Sequence, residues 1–190
     1  QMMGVIFMIY VGMGTATSVR VAERFGRGDA VGVREASRLG VVASVALGLL
    51  MAGGLVLLRE PIAVTWLNGS EVASAGAHLV PLLSVMLAAV AFVTLFDGLQ
   101  AVGSMALRAQ GAVWIATAIH VGSYVFVMLP LCWWLALHTE LGVWGVIIGI
   151  SVASLFAGVG QVLALEIKSA RGVKFGLPEE AGRASVAVGH

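Results

Sequence analysis

Polar side chains recur at helical spacing inside one long apolar stretch of the sequence. They are Thr94, Asp97, Gln100, Ser104 and Arg108. Because residues three or four positions apart share one face of an α-helix, this spacing predicts a single polar stripe on a helix. An acid facing lipid would cost several kcal/mol, so the stripe is expected to face protein or water.

Asp97 offers the most chemistry in this stripe. A carboxylate held away from water is stable in two states, either protonated or with a cation such as Na⁺ beside it. A coupling-ion site needs such a pair of states, and we therefore predict that Asp97 binds or couples to a cation. Arg108 lies ~16 Å further along the helix axis, too far to be its direct partner. The alternative is a structural acid that bonds to a neighbouring helix.

The next apolar stretch carries Thr117, His120 and Tyr124, again at helical spacing. We predict that these three residues line a cavity together with Thr94, Gln100 and Ser104. A histidine can relay protons, but a lone histidine in a helical bundle is more often a hydrogen-bonded packing residue, and both interpretations stay open. No metal site is predicted beyond a Na⁺ ion at Asp97, and no cofactor is expected.

Membrane-spanning helices are the elements that must position these residues. Hydrophobic residues make up 59% of the 190-residue chain and charged residues 11%, against roughly 25% charged residues in a soluble domain. Several uncharged runs reach the length of about 20 residues with which a helix crosses the hydrocarbon core. We therefore predict an all-α integral membrane protein whose spans lie at about 1–19, 39–58, 80–106, 112–137 and 142–165.

The basic residues predict the orientation of these spans. If five spans alternate across the membrane, Arg59 alone of the eleven Lys and Arg residues lies on the side opposite the connector 20–38. The positive-inside rule then places the connector, the region of Arg108 and a tail at 166–190 in the cytoplasm. We expect Gly26–Asp29 to form a turn between helical pieces of the connector.

Pro81 predicts where the third span begins. The stretch 73–107 is too long, as one helix, for a hydrocarbon core of ~30 Å. Because proline is tolerated in the first turn of a helix, we expect the span to start near Pro81, after a short interfacial piece at 71–79.

Small residues recur every four positions in two of the apolar runs. The two sets are Gly40, Ser44, Gly48 and Ala52, and Gly145, Gly149, Ala153 and Ala157. Such stripes allow helices in lipid to approach closely, although the general abundance of glycine and alanine is an alternative explanation. We predict that both stripes pack against other helices.

Other classes of function find little support in the sequence. The net charge of +1 argues against nucleic acid as a partner, and the single cysteine, Cys132, excludes an intrachain disulfide. Zinc-protease, serine-hydrolase, P-loop and dinucleotide-binding signatures are missing, so we do not expect an enzyme. The apolar first residues lead us to expect a piece of a longer protein.

Several stretches resemble, in their order along the chain, one known transporter family. They are FMIYVGMGTATSVRVAERFGRGD at 7–29, Asp97 with Gln100, Val102, Leu107 and Arg108, Tyr124 with Leu129-Pro130-Leu131, and Leu141-Gly142-Val143-Trp144. In this order they are similar to parts of helices 8, 10, 11 and 12 of multidrug and toxic compound extrusion (MATE) transporters. The similarity is greatest to the bacterial multidrug branch.

This resemblance implies five helices, 8 to 12, of the C-terminal lobe of a two-lobe transporter. It implies export of organic, often cationic, compounds by alternating access, in exchange for Na⁺ or H⁺, and places the acid of helix 10, here Asp97, at the cation site or cavity. The expected partners are membrane lipid, a small organic cation and the N-terminal lobe of the same chain. The expected location is the bacterial inner membrane, with a cytoplasmic C-terminus.

Two other functions stay open. A related flippase for lipid-linked precursors would be expected to line its cavity with basic residues that meet phosphate, and no Lys or Arg lies within a predicted span. A non-transporting membrane scaffold would not require Asp97. The identity of the substrate and the choice between Na⁺ and H⁺ are left open by the residues.

Overall fold

The computed structural model of the chain describes residues 2–68 and 76–170, with side chains described over 4–66 and 79–170. This part of the chain is nearly all helical. The helices are α1 (Met2–Gly26), α2 (Ala30–Leu57), α3 (Arg59–Asn68), α4 (Gly76–Ala109), α5 (Val113–Val121), a π-helical segment (Gly122–Met128), α6 (Leu129–His138) and α7 (Val143–Ala170).

Five helical stretches of the described chain are long and apolar enough to cross a membrane. They are Gly4–Gly26, Ala30–Leu57, Leu79–Ala109, Val113–His138 and Val143–Ala170. The predicted class, an all-α membrane protein with five spans, is therefore confirmed. The fourth stretch combines α5, the π-helical segment and α6.

The helices extend further into the polar regions than the apolar runs do. α1 continues to Gly26 and α2 begins at Ala30, so a short turn separates them within the predicted connector. Gly28 has a φ of +74°, a conformation that glycine adopts without strain. Asp29 follows as the N-cap of α2, and its carboxylate accepts a 2.8 Å hydrogen bond from the Gly32 N–H.

α4 lies at the centre of the bundle and packs against α1, α2 and α7. A buried apolar cluster joins the C-terminal halves of α1, α4 and α7 to the N-terminal parts of α2 and α5. Its fully buried members are Val21, Val33, Ala106, Leu107, Ala112, Ala116 and Leu165. These helix ends therefore meet at one end of the bundle, which also carries Arg20 to Arg38, Arg108 and Glu166. We call it the arginine-rich end.

Both stripes of small residues pack against neighbouring helices, as predicted. Gly40, Ser44 and Gly48 are buried on α2, and Gly145, Gly149, Ala153 and Ala157 are buried on α7. A Cβ atom placed on Gly145 would lie 2.7 Å from the carbonyl carbon of Leu135 in α6. Glycine is thus required where the backbones of α6 and α7 touch.

The third span begins at Leu79, close to the expected position, but Pro81 does not divide it from the residues before it. α4 begins at Gly76 and continues through Pro81, so residues 76–79 belong to the same helix as the span, and residues 71–75 lie outside the described part. Near a helix start the missing proline N–H removes one backbone bond without ending the helix. At the other end of the chain, α7 includes 166–170 of the predicted tail, and 171–190 lie outside the described residues.

A π-helical segment interrupts the fourth span. Its last hydrogen bond runs from the Leu129 N–H to the Tyr124 carbonyl, five residues back rather than four. Pro130 follows immediately and has no N–H with which to continue the α-helical pattern. Short π-helical turns of this kind occur frequently at functional sites, and this one carries Tyr124.

Candidate functional site

A cavity of about 250 Å³ lies between α1, α4 and the helical stretch that contains α5 and the π-helical segment. α1 and α4 supply most of its wall, and α5 and the π-helical segment supply two polar groups. Its lining residues are Phe7, Val11, Asp97, Gln100, Ala101, Ser104, Met105, His120 and Tyr124. The cavity thus has one carboxylate, several neutral polar groups and an apolar remainder.

The structure brings most of the predicted site residues together at this cavity. Asp97, Gln100 and Ser104 line it from α4, as helical spacing requires, and His120 and Tyr124 line it from α5 and the π-helical segment. Their functional roles stay predictions.

Thr94 and Thr117 are not among the lining residues. The Thr94 side chain is buried, and its hydroxyl donates a 2.7 Å hydrogen bond to the Val90 carbonyl of its own helix. Because this hydroxyl already has a hydrogen-bond partner in its own helix, it can be buried without contact with the cavity. Thr117 is partly buried on α5.

The carboxyl group of Asp97 has a neutral partner. Ser154 of α7 hydrogen-bonds it, and no Lys, Arg or His of the described residues forms an ion pair with it. Tyr10 of α1 lies close enough for the carboxylate charge to act on its phenol, and its ring packs against the Cα of Gly98. Asp97 is therefore held in place without having its charge neutralised by a described residue.

A chain of hydrogen-bonding groups runs from Gln100 of α4 to Gln161 of α7. The Gln100 amide nitrogen lies 2.7 Å from His120 Nε2, and the Tyr124 hydroxyl lies 3.2 Å from the Gln100 amide oxygen, to which it donates in this orientation of the amide. On the far side of the imidazole, the Gln161 carboxamide lies 2.8 Å from Nδ1. The His120 and Tyr124 rings stack with their centroids 6.3 Å apart. α4, α5, the π-helical segment and α7 are joined by this chain.

Sequence reasoning missed Ser154 and Gln161, both of α7. They lie about two helical turns apart and therefore share one face of the helix, and both are buried. Their spacing was a usable signal, because a glutamine inside an apolar span needs a hydrogen-bond partner.

The arginine-rich end has a different chemistry. Arg38 of α2 donates two hydrogen bonds to Glu166 of α7, at 2.8 and 3.0 Å, and Arg34 lies 3.7 Å from the same carboxylate. Beneath these pairs the buried amide of Gln110 bridges Ser37 and Ser169, at 3.4 Å to each hydroxyl. Charged and neutral bonds therefore tie α2, α7 and the turn that follows α4 together at this end.

The α1–α2 turn carries a further charged pair. Arg24 lies 3.0 Å from Asp29. The hydrogen bond from the Gly32 N–H, together with the Arg24 guanidinium, holds the pKa of the Asp29 carboxyl below its usual value. Asp29 therefore stays ionised over the physiological pH range.

Comparison with known proteins defines the class to which this bundle belongs. The family model MatE matches residues 1–134. The solved crystal structure of the eukaryotic MATE transporter AtDTX14 superposes with a TM-score of 0.76, covering 90% of this chain and 38% of that one at 21% sequence identity. The fold is that of part of a MATE transporter, and the chain belongs to the MATE family.

Relatives from bacteria and plants agree with this assignment. A Bradyrhizobium diazoefficiens protein named "Probable multidrug resistance protein NorM" is 35% identical over 160 residues, which are 84% of this chain and 34% of that protein. "Multidrug resistance protein NorM" of Burkholderia vietnamiensis is 36% identical, over 80% of this chain and 34% of that protein. "Protein DETOXIFICATION 15" of Arabidopsis thaliana is 28% identical, over 81% and 31%. The chain thus spans about a third of the length of the curated relatives it matches.

Proposed function

We propose that the transporter to which these helices belong exports organic cations in exchange for Na⁺ or H⁺, and that Asp97 is its coupling residue. The observation that carries this proposal is the environment of Asp97. Its carboxyl group faces a cavity of about 250 Å³, has a serine as hydrogen-bond partner, and forms no ion pair with a described residue. Such an acid is free to take up either a proton or a cation.

Ion entry and substrate export are coupled because the ion and the organic cation compete for the Asp97 carboxylate. An ion that enters down the membrane potential supplies ~2.3 kcal/mol per charge per 100 mV. That energy drives export if the ion and the substrate bind Asp97 with different affinities in the inward-open and outward-open arrangements of the lobes. Exclusive occupation of one carboxylate by either the ion or the organic cation would make the two movements opposite in direction.

The remaining lining residues suit the body of an organic cation. Phe7, Val11 and Met105 offer apolar and polarisable surface, while Gln100 and Tyr124 offer neutral hydrogen-bonding groups. The wall contains no Lys or Arg among the described residues that line it, which favours a cationic substrate over the phosphate group that a flippase would carry.

The orientation is part of the proposal. The arginine-rich end gathers the connector, Arg108 and Glu166 on one side of the bundle, and the positive-inside rule favours the cytoplasm of a bacterial inner membrane for it. A cysteine at Gly28 should then react with a membrane-impermeant thiol reagent from the cytoplasmic side, and a cysteine at Glu140 from the opposite side. Labelling of both from one side would overturn the five-span topology, and labelling with the two sides exchanged would reverse the orientation.

The coupling role is tested by Asp97→Asn in the full-length transporter, reconstituted in proteoliposomes with an imposed Na⁺ or H⁺ gradient. We expect efflux of tetraphenylphosphonium driven by the gradient to fall to the background of empty vesicles. Asp29→Asn is the matched control, because it is the same change at an acid outside the cavity, and it should transport like the wild type. Undiminished gradient-driven efflux by Asp97→Asn would overturn the proposal and favour a scaffold role.

A further inference from the structure

Gln161 is a buried amide that the coupling mechanism does not use. Its side chain is 0% exposed, and it reaches from α7 to α5. A close approach of α4 holds it there, since a Cβ atom placed on Gly103 would lie 2.9 Å from the Gln161 Cβ. Buried amides are retained in proteins when their hydrogen bonds are needed, so the partners of Gln161 indicate its purpose.

The orientation of this amide is fixed by a backbone carbonyl. Gln161 Nε2 lies 2.9 Å from the Ala116 carbonyl oxygen, which can only accept a hydrogen bond. The amide oxygen has no hydrogen-bond partner among the described residues, so no second contact there favours the reverse orientation. The NH₂ group of Gln161 must therefore face α5.

That orientation determines the tautomer of His120. The same Gln161 nitrogen lies 2.8 Å from His120 Nδ1, closer to it than the Ala116 carbonyl oxygen at 3.1 Å, so the contacts favour a ring that accepts a hydrogen bond at Nδ1. A neutral imidazole has one acceptor nitrogen and one donor nitrogen. The proton of the ring is therefore on Nε2.

The Nε2–H group in turn determines which end of the Gln100 carboxamide faces His120. The Gln100 carboxamide is 2.7 Å from Nε2, and it satisfies an N–H there when it presents its oxygen. The two ends of a carboxamide have nearly the same shape, so this requires only a half-turn of the amide. Before the half-turn, the Gln100 oxygen lies 3.2 Å from the Tyr124 hydroxyl and accepts its hydrogen bond. After the half-turn the Gln100 NH₂ group occupies that position and donates to the Tyr124 oxygen, so the Tyr124 O–H stays free to donate into the cavity.

Loss of Gln161 would reverse the donor and acceptor directions along the chain from His120 through Gln100 to Tyr124. His120 Nδ1 lies 3.1 Å from the Ala116 carbonyl oxygen, so a ring freed from Gln161 can carry its proton on Nδ1 and donate there. Gln100 would then donate to Nε2, and the Tyr124 hydroxyl would donate to the Gln100 oxygen. The cavity would lose its hydroxyl donor, although no residue of its wall had changed.

We propose that Gln161 is a positioning residue that keeps the Tyr124 hydroxyl available as a donor in the cavity. The inference rests on the proposed function of the cavity and narrows its substrate class to organic cations that also carry a hydrogen-bond acceptor, such as a carbonyl or ester oxygen. The cationic group binds at Asp97, and the acceptor binds at Tyr124 in the same cavity.

Two cations separate this role from a merely structural one in the reconstituted full-length transporter. Rhodamine 6G carries an ester group, and tetraphenylphosphonium has no acceptor. Gln161→Met, which keeps the length of the side chain without its donor, should raise the KM for rhodamine 6G about fivefold, the value of one neutral hydrogen bond. The KM for tetraphenylphosphonium should not change.

Tyr124→Phe should produce the same selective effect, and the double variant should add nothing to it, because both changes remove one donor. An equal loss for both cations, or no loss for rhodamine 6G, would overturn the inference. Failure of the wild type to export either cation would overturn the proposed function itself.

A second readout needs neither transport nor a variant of Gln161. In full-length protein labelled with ¹⁵N-histidine, the His120 resonances, assigned by their loss in His120→Asn, should have the shifts of the Nε2–H tautomer. An Nδ1–H ring or an imidazolium in the wild type would overturn the inference. Where Gln161→Met folds, its His120 should change to the Nδ1–H tautomer.

Discussion

The arginine-rich end and the cavity use polar residues in opposite ways. At the arginine-rich end, opposite charges meet in pairs such as Arg38 with Glu166, and both side chains stay substantially exposed. In the cavity, one carboxylate is surrounded by neutral partners, Ser154 of α7 among them. Several charges at the exposed arginine-rich end are therefore paired, whereas the carboxylate in the cavity has no oppositely charged partner among the described residues.

This difference indicates what each region contributes. Exposed ion pairs are worth roughly 0–1 kcal/mol each and weaken with salt, so the arginine-rich end joins helices without depending on any one pair. A partly buried acid without an opposite charge is costly to keep. Asp97 is therefore not expected to stabilise the bundle, which agrees with the coupling role proposed for it.

Substitution of Gly158 should cause the largest loss of stability among these variants. It tests whether the cavity depends on the close packing of α7 against α4. Gly158 lies on α7 between Ser154 and Gln161, and a Cβ atom there would be 2.9 Å from the Phe96 carbonyl oxygen, next to Asp97. Gly158→Val should therefore lower the free energy of unfolding by about 1–3 kcal/mol and reduce efflux. Unfolding by SDS in mixed micelles measures the first quantity.

Gly53→Val is the matched control for this experiment. No atom lies within 4 Å of a Cβ placed on Gly53, so this change should leave the close helix contacts intact. Equal losses of stability in the two variants would show that the approach of α7 to α4 does not limit the packing of the cavity.

A smaller loss of stability is expected when an ion pair at the arginine-rich end is removed. Arg38→Gln removes both hydrogen bonds to Glu166 but leaves Arg34 near that carboxylate. The melting temperature should fall slightly at low salt and approach the wild-type value at 1 M salt, where the Debye length is about 3 Å. Arg108→Gln, at an arginine that forms no ion pair with a described residue, should show no such salt dependence. A large loss that persists in high salt would contradict the comparison.

The smallest effect should come from Asp29, whose contribution to stability depends on pH. Because its pKa is held below the unfolded value, its contribution to stability is complete above the unfolded pKa of about 3.9 and is lost as the pH falls through the folded pKa. Asp29→Asn keeps an N-cap acceptor that does not titrate. The difference in melting temperature between wild type and variant should therefore shrink as the pH falls from 6 to 3. A difference independent of pH would assign the effect to the hydrogen bond alone.

The spans and one wall of the cavity were predictable from sequence because both depend on local patterns. Uncharged runs determine which segments cross the membrane, and helical spacing alone places Asp97, Gln100 and Ser104 on one face of α4. His120 and Tyr124 followed from the same rule on the next span.

The contribution of α7 was not predictable in this way. Ser154 and Gln161 reach the site because glycines such as Gly158 bring α7 against α4, and that contact joins residues far apart in the sequence. Thr94 shares the spacing of Asp97, but its hydroxyl is satisfied by its own backbone, an outcome that periodicity does not reveal. Pro81 does not divide α4, because a proline near the start of a helix removes one backbone hydrogen bond without ending the helix.

The π-helical segment has a consequence for how this span tolerates changes of length. Since its hydrogen bonds reach back five residues, Gly122–Met128 accommodates one residue more than α-helical bonding would over the same turn. If one residue were deleted here, the segment would return to α-helical bonding. The side chains of His120 and of α6 would then keep their orientation about the helix axis. Natural variation in the length of this span is therefore expected to concentrate between His120 and Pro130.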